Sequence, residues 1–138
     1  MTHSLRAVPR PEVDRPEVVA EVRAAFDAYE AALLAHDVAA LDAAFWPDPR
    51  VVRFGIADDQ KGAAAIAAWR RAAGPVTAGR MLHATTVTTF GDDVAIVTTK
   101  FTDDAGGLGR QSQTWMNVDG SWCIVGAHVS RVDVNDSV

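Results

Sequence analysis

Thiols are almost absent from this chain. Cys123 is the one cysteine among 138 residues, so no intrachain disulfide and no thiolate metal cluster can form. A reducing compartment is the natural setting. Cys123 lies in an apolar strand pattern and reads as a packed, inert thiol. The four histidines (His3, His36, His83 and His128) each stand alone in their segments. No H-x-x-x-H, H-E-x-x-H or carboxylate cluster accompanies them, so no metal and no cofactor is expected. No glycine-rich loop joins a strand to a helix, which removes the usual phosphate cradle. "GGLG" (106–109) falls at a β-turn. Basic residues are in the minority, 13 against 18 acids for a net charge of −5, and neither sign forms blocks. A nucleic-acid partner would want a basic face, whereas a single cationic pocket is compatible with an acidic surface. No apolar run approaches a membrane span, and the N-terminus has no apolar signal region. The expectation is a soluble, cytoplasmic protein with no nucleic-acid or membrane partner.

What is present suffices for one domain. Apolar residues make up 49% of the chain, and a chain of this size buries roughly 70% of its unfolded surface. Residues 1–13 read as a flexible lead-in, with Pro9 and Pro11, before a single domain over 14–138. Asp14 and Glu17 have capping-box spacing, and Pro16 is tolerated in a first turn. A helix to about Ala35 follows. Val18, Val22, Phe26, Tyr29 and Leu33 draw one apolar stripe, with Glu21, Asp27 and Glu30 off it. Asp37 can cap a second helix that Pro47 ends near Trp46. A short strand, Val51 to Phe54, precedes a third helix over about Gly62 to Ala73, with Ile66 and Trp69 inward. Four strands then follow: 82–90, 94–102, 108–118 and 121–132. Asp119-Gly120 is a strong hairpin signal. Helices first and a meander behind predict an α+β fold, three N-terminal helices packed on a curved, mainly antiparallel sheet. A small-ligand pocket should lie between the concave face and helix one.

Polar residues on elements that should be buried mark the candidate site. Tyr29 lies on the apolar stripe of helix one, as a core phenol or a pocket group. Arg53 alternates with Val52 and Phe54. It is solvated if those two face the helices. If instead Val51 and Arg53 face the cavity, the buried guanidinium needs an anion. In "GRQSQTW" (109–115), Ser112 shares one strand face with Arg110 and Thr114, and Gln111 and Gln113 share the other with Trp115. Alternation puts His128 and Ser130 on one face with Gly126 and Ile124. Trp46 either walls the pocket or packs in the core. Together these residues draw a lining rich in donors and poor in carboxylates, suited to a small anion.

"VVRFG" (51–55), "TTFG" (88–91), "GRQSQTW", "AHVS" (127–130) and the opening "RPEVVAEVRAAFDAYEAAL" (15–33) resemble the AtzH-like and HpxZ-like proteins. These form part of the SnoaL-like branch of the nuclear-transport-factor-2-like superfamily. The resemblance runs from about Pro16 to Ser130. It implies a cone-shaped, cystatin-like α+β fold and a homodimer formed through the sheets. It also implies an accessory enzyme of nitrogen catabolism that works alongside a partner amidase. The implied activity is decarboxylating amide hydrolysis of a dicarboxyurea-type, small anionic ureido substrate, giving allophanate, as in oxalurate-type catabolism. Its catalytic residues would fall at Tyr29 and Arg53. Trp46, Gln111, Ser112, Gln113 and His128 are then the candidates for holding the substrate. The chain departs from the family where Lys61 in "DDQKG" (58–62) replaces a usual Tyr and where Cys123 replaces a frequent Arg. The segment "AAGPVTAGRML" (72–82) has no close match.

Two other classes stay open from the residues. A carboxylate-binding or amidase-bracing protein would need Arg53 but not the Tyr29 hydroxyl. An isomerase of the wider superfamily would need a pocket Asp or a His–Asp pair, and the acids at 92–93, 103–104 and 119 all fall at turns.

Overall fold

The computed structural model describes residues 9–133; His3 and most of the lead-in lie outside them. Three helices, α1 (Pro16–Ala35), α2 (Val38–Ala44) and α3 (Ala63–Ala73), cover one face of a six-stranded sheet. The strands are β1 (Val52–Phe54), β2 (Asp59–Lys61), β3 (Met81–Phe90), β4 (Val94–Thr102), β5 (Leu108–Val118) and β6 (Ser121–Val132). Their order is β2-β1-β6-β5-β4-β3. β1 runs parallel to β6, and every other pair is antiparallel. The α+β layout is the expected one. β2 is an addition: three residues, Asp-Gln-Lys, carry no apolar alternation that would announce a strand. No helix among the described residues is long and apolar enough to cross a membrane.

The stripe on α1 is the keel of the core. Val18, Val22, Phe26, Tyr29 and Leu33 are all buried, against Leu41 of α2, Ile66 of α3 and Ala95, Val97, Trp115 and Ile124 of the sheet. Each large apolar side chain so buried contributes about 1.5–3 kcal/mol. Two turns away from that stripe fail their sequence reading. The capping box does not form. Arg15, not Asp14, is the N-cap residue of α1, and it caps without a side-chain hydrogen bond. Asp14 adopts a positive φ of 59° and accepts instead from the Thr89 backbone N–H at 2.9 Å. That bond, with the Val13–Phe90 bridge, ties the helix entry to the end of β3. The second helix also ends at Ala44, short of Trp46, because Phe45 leaves it to bridge Ile124 of β6. Asp37 does cap that helix, accepting from the Ala40 N–H.

β6 carries the irregularity that decides which of its residues face inward. Thr114 pairs with Gly126, but Trp115 pairs with Ile124, so Val125 has no partner on β5. One extra residue reverses the inward–outward alternation beyond it. Ile124 faces the core on one side of the bulge; Ala127, Val129 and Arg131 face it on the other.

Candidate functional site

A cavity of about 230 Å³ opens between α1, α3 and the inner face of the sheet. Tyr29 and Leu33 enter it from α1, Trp69 and Arg70 from α3, and Arg53 from β1. Gln111 and Gln113 of β5 and Ala127, Val129 and Arg131 of β6 form its floor. Asp58 stands at the turn between β1 and β2, and Asp103 follows β4.

Arg53 takes the inward option. Val51 is fully buried and Arg53 is 8% exposed, while Phe54 is exposed. The guanidinium meets part of its need for an anion within the chain. Its Nη1 donates to Asp58 Oδ1 at 2.7 Å and to Gln60 Oε1 at 3.0 Å. Gln60 is the cross-strand partner of Arg53 on β2 and also donates to Asp58 Oδ1. The Arg53 guanidinium carbon lies 3.8 Å from the centre of the Trp69 ring, where the negative π face favours a cation. Burial lowers the Arg53 pKa and Asp58 offsets this; a guanidinium stays charged regardless. At Asp58, burial pushes the carboxyl up, but the hydrogen bonds from Gln60 and Arg53 outweigh it and hold the group below its ordinary value. Gly55 leaves room for this cluster. A Cβ there would sit 2.5 Å from Asp58 Oδ1 and 2.8 Å from Arg53 Nη1.

Tyr29 is 6% exposed, edge-on to Phe45 and Trp115. Arg70 Nη2 donates to its hydroxyl oxygen at 3.3 Å. Because that oxygen accepts from Arg70, the phenol's own proton is directed elsewhere. Burial raises the Tyr29 pKa, with the Arg70 charge opposing, so the phenol stays protonated at neutral pH. α3 is positioned for this by simple spacing. Ile66 is buried, and Arg70, four residues on, lies on the same helix face.

A second group of buried charges flanks the cavity beside Gln111. Arg80 donates to both carboxylate oxygens of Glu30, at 2.9 and 3.2 Å, and to Gln111 Oε1 at 3.1 Å. Gln111 Nε2 returns a bond to Glu30. Glu30 is therefore buried rather than off the helical stripe. Arg131 holds Asp103 through two bonds, at 2.8 and 3.2 Å. That pairing keeps the Asp103 carboxyl below its ordinary value.

Tyr29, Arg53, Gln111 and Gln113 thus share one chamber, although Gln113 is occupied in accepting from the Trp115 indole N–H. Three other candidates do not join them. Ser112 is exposed on the outer sheet face, where it pairs with His128. His128 is exposed and lies edge-on to Phe54. The Val125 bulge is the physical reason: it turns His128 outward from the face that Ile124 occupies. Trp46 lies outside the lining and stacks with Arg50, 4.9 Å away. The lining is also less poor in carboxylates than expected, since Asp58 and Asp103 both belong to it. Asp103 sits at a turn, as expected, yet its side chain reaches the cavity. Among the residues sequence reasoning passed over, Arg70 carried a legible signal, the four-residue step from Ile66.

A helix-covered curved sheet with this chamber places the chain among the cystatin-like, nuclear transport factor 2-like α+β proteins. Within that class it belongs to the AtzH-like family, whose sequence profile matches residues 11–135. A cystatin-like fold protein from Burkholderia xenovorans LB400 is 50% identical, with a TM-score of 0.87 over 90% of this chain and 98% of that one. A protein of unknown function from the DUF3225 family of Pectobacterium atrosepticum SCRI1043 is 42% identical. Its TM-score is 0.84 over 88% of this chain and 95% of that one. A nuclear transport factor 2-like protein from Pseudomonas putida KT2440, 21% identical with a TM-score of 0.71 over 84% of this chain and 87% of that one, shares the fold. No curated protein matches the chain.

Proposed function

We propose that the protein is a small cofactor-free enzyme that cleaves an N-carboxylated urea. In this reaction the bond between nitrogen and the terminal carboxylate breaks, CO₂ departs and the nitrogen accepts one proton. A dicarboxyurea so treated leaves allophanate. The observation that carries this reading is Tyr29: a buried, protonated phenol whose oxygen accepts from Arg70 and whose proton is free to be given. General acid catalysis of this kind contributes on the order of 10² to 10⁴-fold. The Arg70 charge beside the oxygen would stabilise the phenolate left behind. Arg53 would hold the carboxylate, because Asp58 and Gln60 use only its Nη1 and leave Nε and Nη2 without a partner among the described residues. Membership of the AtzH-like family supports the reaction class. Exposed Phe54, Ile96 and Met116 on the outer sheet face support a homodimer through that face, and a partner amidase would consume the product.

Incubating the purified protein with dicarboxyurea and following CO₂ and allophanate by mass spectrometry tests the reaction. Enzyme-dependent formation of both is expected. No turnover, with small carboxylates still bound, would replace this reading by a carboxylate-binding accessory protein. That alternative is favoured by one observation: Arg53 already rests on the Asp58 carboxylate, so the guanidinium is placed to bind such a group.

A further inference from the structure

Arg70 is a buried cation without a counter-ion. It is 4% exposed, and no ion pair reaches it among the described residues. Its single hydrogen bond among those residues is the long one to the Tyr29 hydroxyl. A guanidinium has five N–H donors, so most of its capacity is unmet. Its charge lies 4.8 Å from the Trp69 ring, which offers a π face but no neutralising group. Burying a charge in this way is costly unless an anion pairs with it. The other two arginines in the lining each have one: Arg53 has Asp58 and Arg131 has Asp103. Three lining cations against two lining carboxylates leave one positive charge, and it belongs to Arg70.

We infer that Arg70 is the anchor for a carboxylate of the ligand, and that Asp58 is an internal competitor whose charge any second carboxylate must face at Arg53. This rests on the reading of the chamber as the substrate site and deepens it. The chamber takes a small monoanion with its charges balanced. A dianion reaches the free Nε and Nη2 of the second guanidinium only against the charge of the Asp58 carboxylate on its Nη1. That side chain is 30% exposed against 9% for Arg53, so it is the more accessible partner of the pair. It stands in the turn between β1 and β2. The planar Arg70 fork suits two parallel bonds to a carboxylate, and the bond to Tyr29 would bring that carboxylate beside the phenol.

Calorimetric titration with two stable probes tests the inference apart from catalysis. N-carbamoylglycine is a ureido monoanion, and N-carbamoylaspartate is its dianionic analogue. The full-length protein should bind both. Arg70→Gln should weaken N-carbamoylglycine by about tenfold or more, the loss expected when a charged hydrogen-bond donor is removed. Arg70→Lys, which keeps the charge without the fork, should fall between them and carries the test should Arg70→Gln not fold. Asp58→Asn should tighten N-carbamoylaspartate by a larger factor than N-carbamoylglycine. An Arg70→Gln protein with native circular dichroism that binds N-carbamoylglycine within about twofold of wild type would overturn the inference. So would a wild-type protein that binds neither probe, or an Asp58→Asn protein that favours the two probes equally. Binding that depends on Arg70, without turnover of dicarboxyurea, would leave the inference standing and remove the proposed reaction. Turnover with Arg70-independent binding would do the reverse.

Discussion

Two buried arginines flank the same chamber and live by opposite rules. Arg80 is closed. Glu30 takes it through two bonds, Gln111 through a third, and the guanidinium stacks 4.2 Å from the Phe101 ring. Arg70 is open, with one long bond and no carboxylate among the described residues. Burial is similar, so burial does not separate the two. Unmet hydrogen-bonding capacity does. The closed arginine is satisfied within the fold, and the open one keeps donors for the ligand carboxylate we propose.

The largest effect expected on stability comes from opening the closed site. Glu30→Ala would strand Arg80 in the interior without its anion, a loss of about 3–5 kcal/mol for a broken buried pair. Urea denaturation measures it. Arg70→Met should cost far less, and should melt near the wild-type temperature, because an unpaired buried charge leaves with it. Equal losses at the two positions would erase the contrast.

The open site also has a spectroscopic handle. Tyr29 is the only tyrosine in the chain, so the ultraviolet phenolate signal reports on it alone. Burial raises its pKa and Arg70 opposes the rise. The phenolate should therefore appear only above the ordinary tyrosine value of about 10, and Arg70→Gln should move it higher still. By linkage, the folded state binds more protons than the unfolded one above that pH. Tyr29 thus contributes stability at neutral pH that is lost as pH rises through its folded value.

A smaller effect belongs to Asp103. Arg131 holds its carboxyl below the ordinary value, so between the folded and unfolded values the unfolded chain binds more protons. Stability from this pair is complete above about pH 4 and is lost as pH falls through the folded value. Asp103→Asn should flatten the acid limb of a stability–pH curve measured by thermal melting. The smallest effect is expected at His128. It faces out beyond the bulge, and His128→Ala should leave turnover within about twofold of wild type; a loss approaching the factor expected for an acid catalyst would return it to the site.

Much of this was legible in the residues and some was not, for reasons that are local. The α1 stripe, the Asp37 cap and the 94–102, 108–118 and 121–132 strands follow from spacing and turn chemistry, and the helices-then-strands order carries the fold class. The two faces of β5 were legible as a pair of alternatives, which burial of Gln111, Gln113 and Trp115 decides. His128 was misplaced because Val125 sits in an apolar run, and nothing in its chemistry marks it as the extra residue of a bulge. Asp14 was misread because a short acid before Pro16 fits a cap as well as it fits a tie to β3. Glu30 and Arg80 are 50 residues apart, and no periodicity links a helix acid to an arginine outside any element. Arg53 is the instructive case. Its inward side chain was one of two readings, but its resting partner, Asp58, lies in an irregular turn where sequence pattern is silent.

The central claim is that Tyr29 supplies a proton inside a chamber that Arg53 and Arg70 make hospitable to a small carboxylate. The rate of CO₂ release from dicarboxyurea by Tyr29→Phe, read beside its affinity for N-carbamoylglycine, tests this most directly. The account predicts a rate lower by about 10²-fold or more with the affinity nearly intact. An undiminished rate in the Phe variant would contradict it.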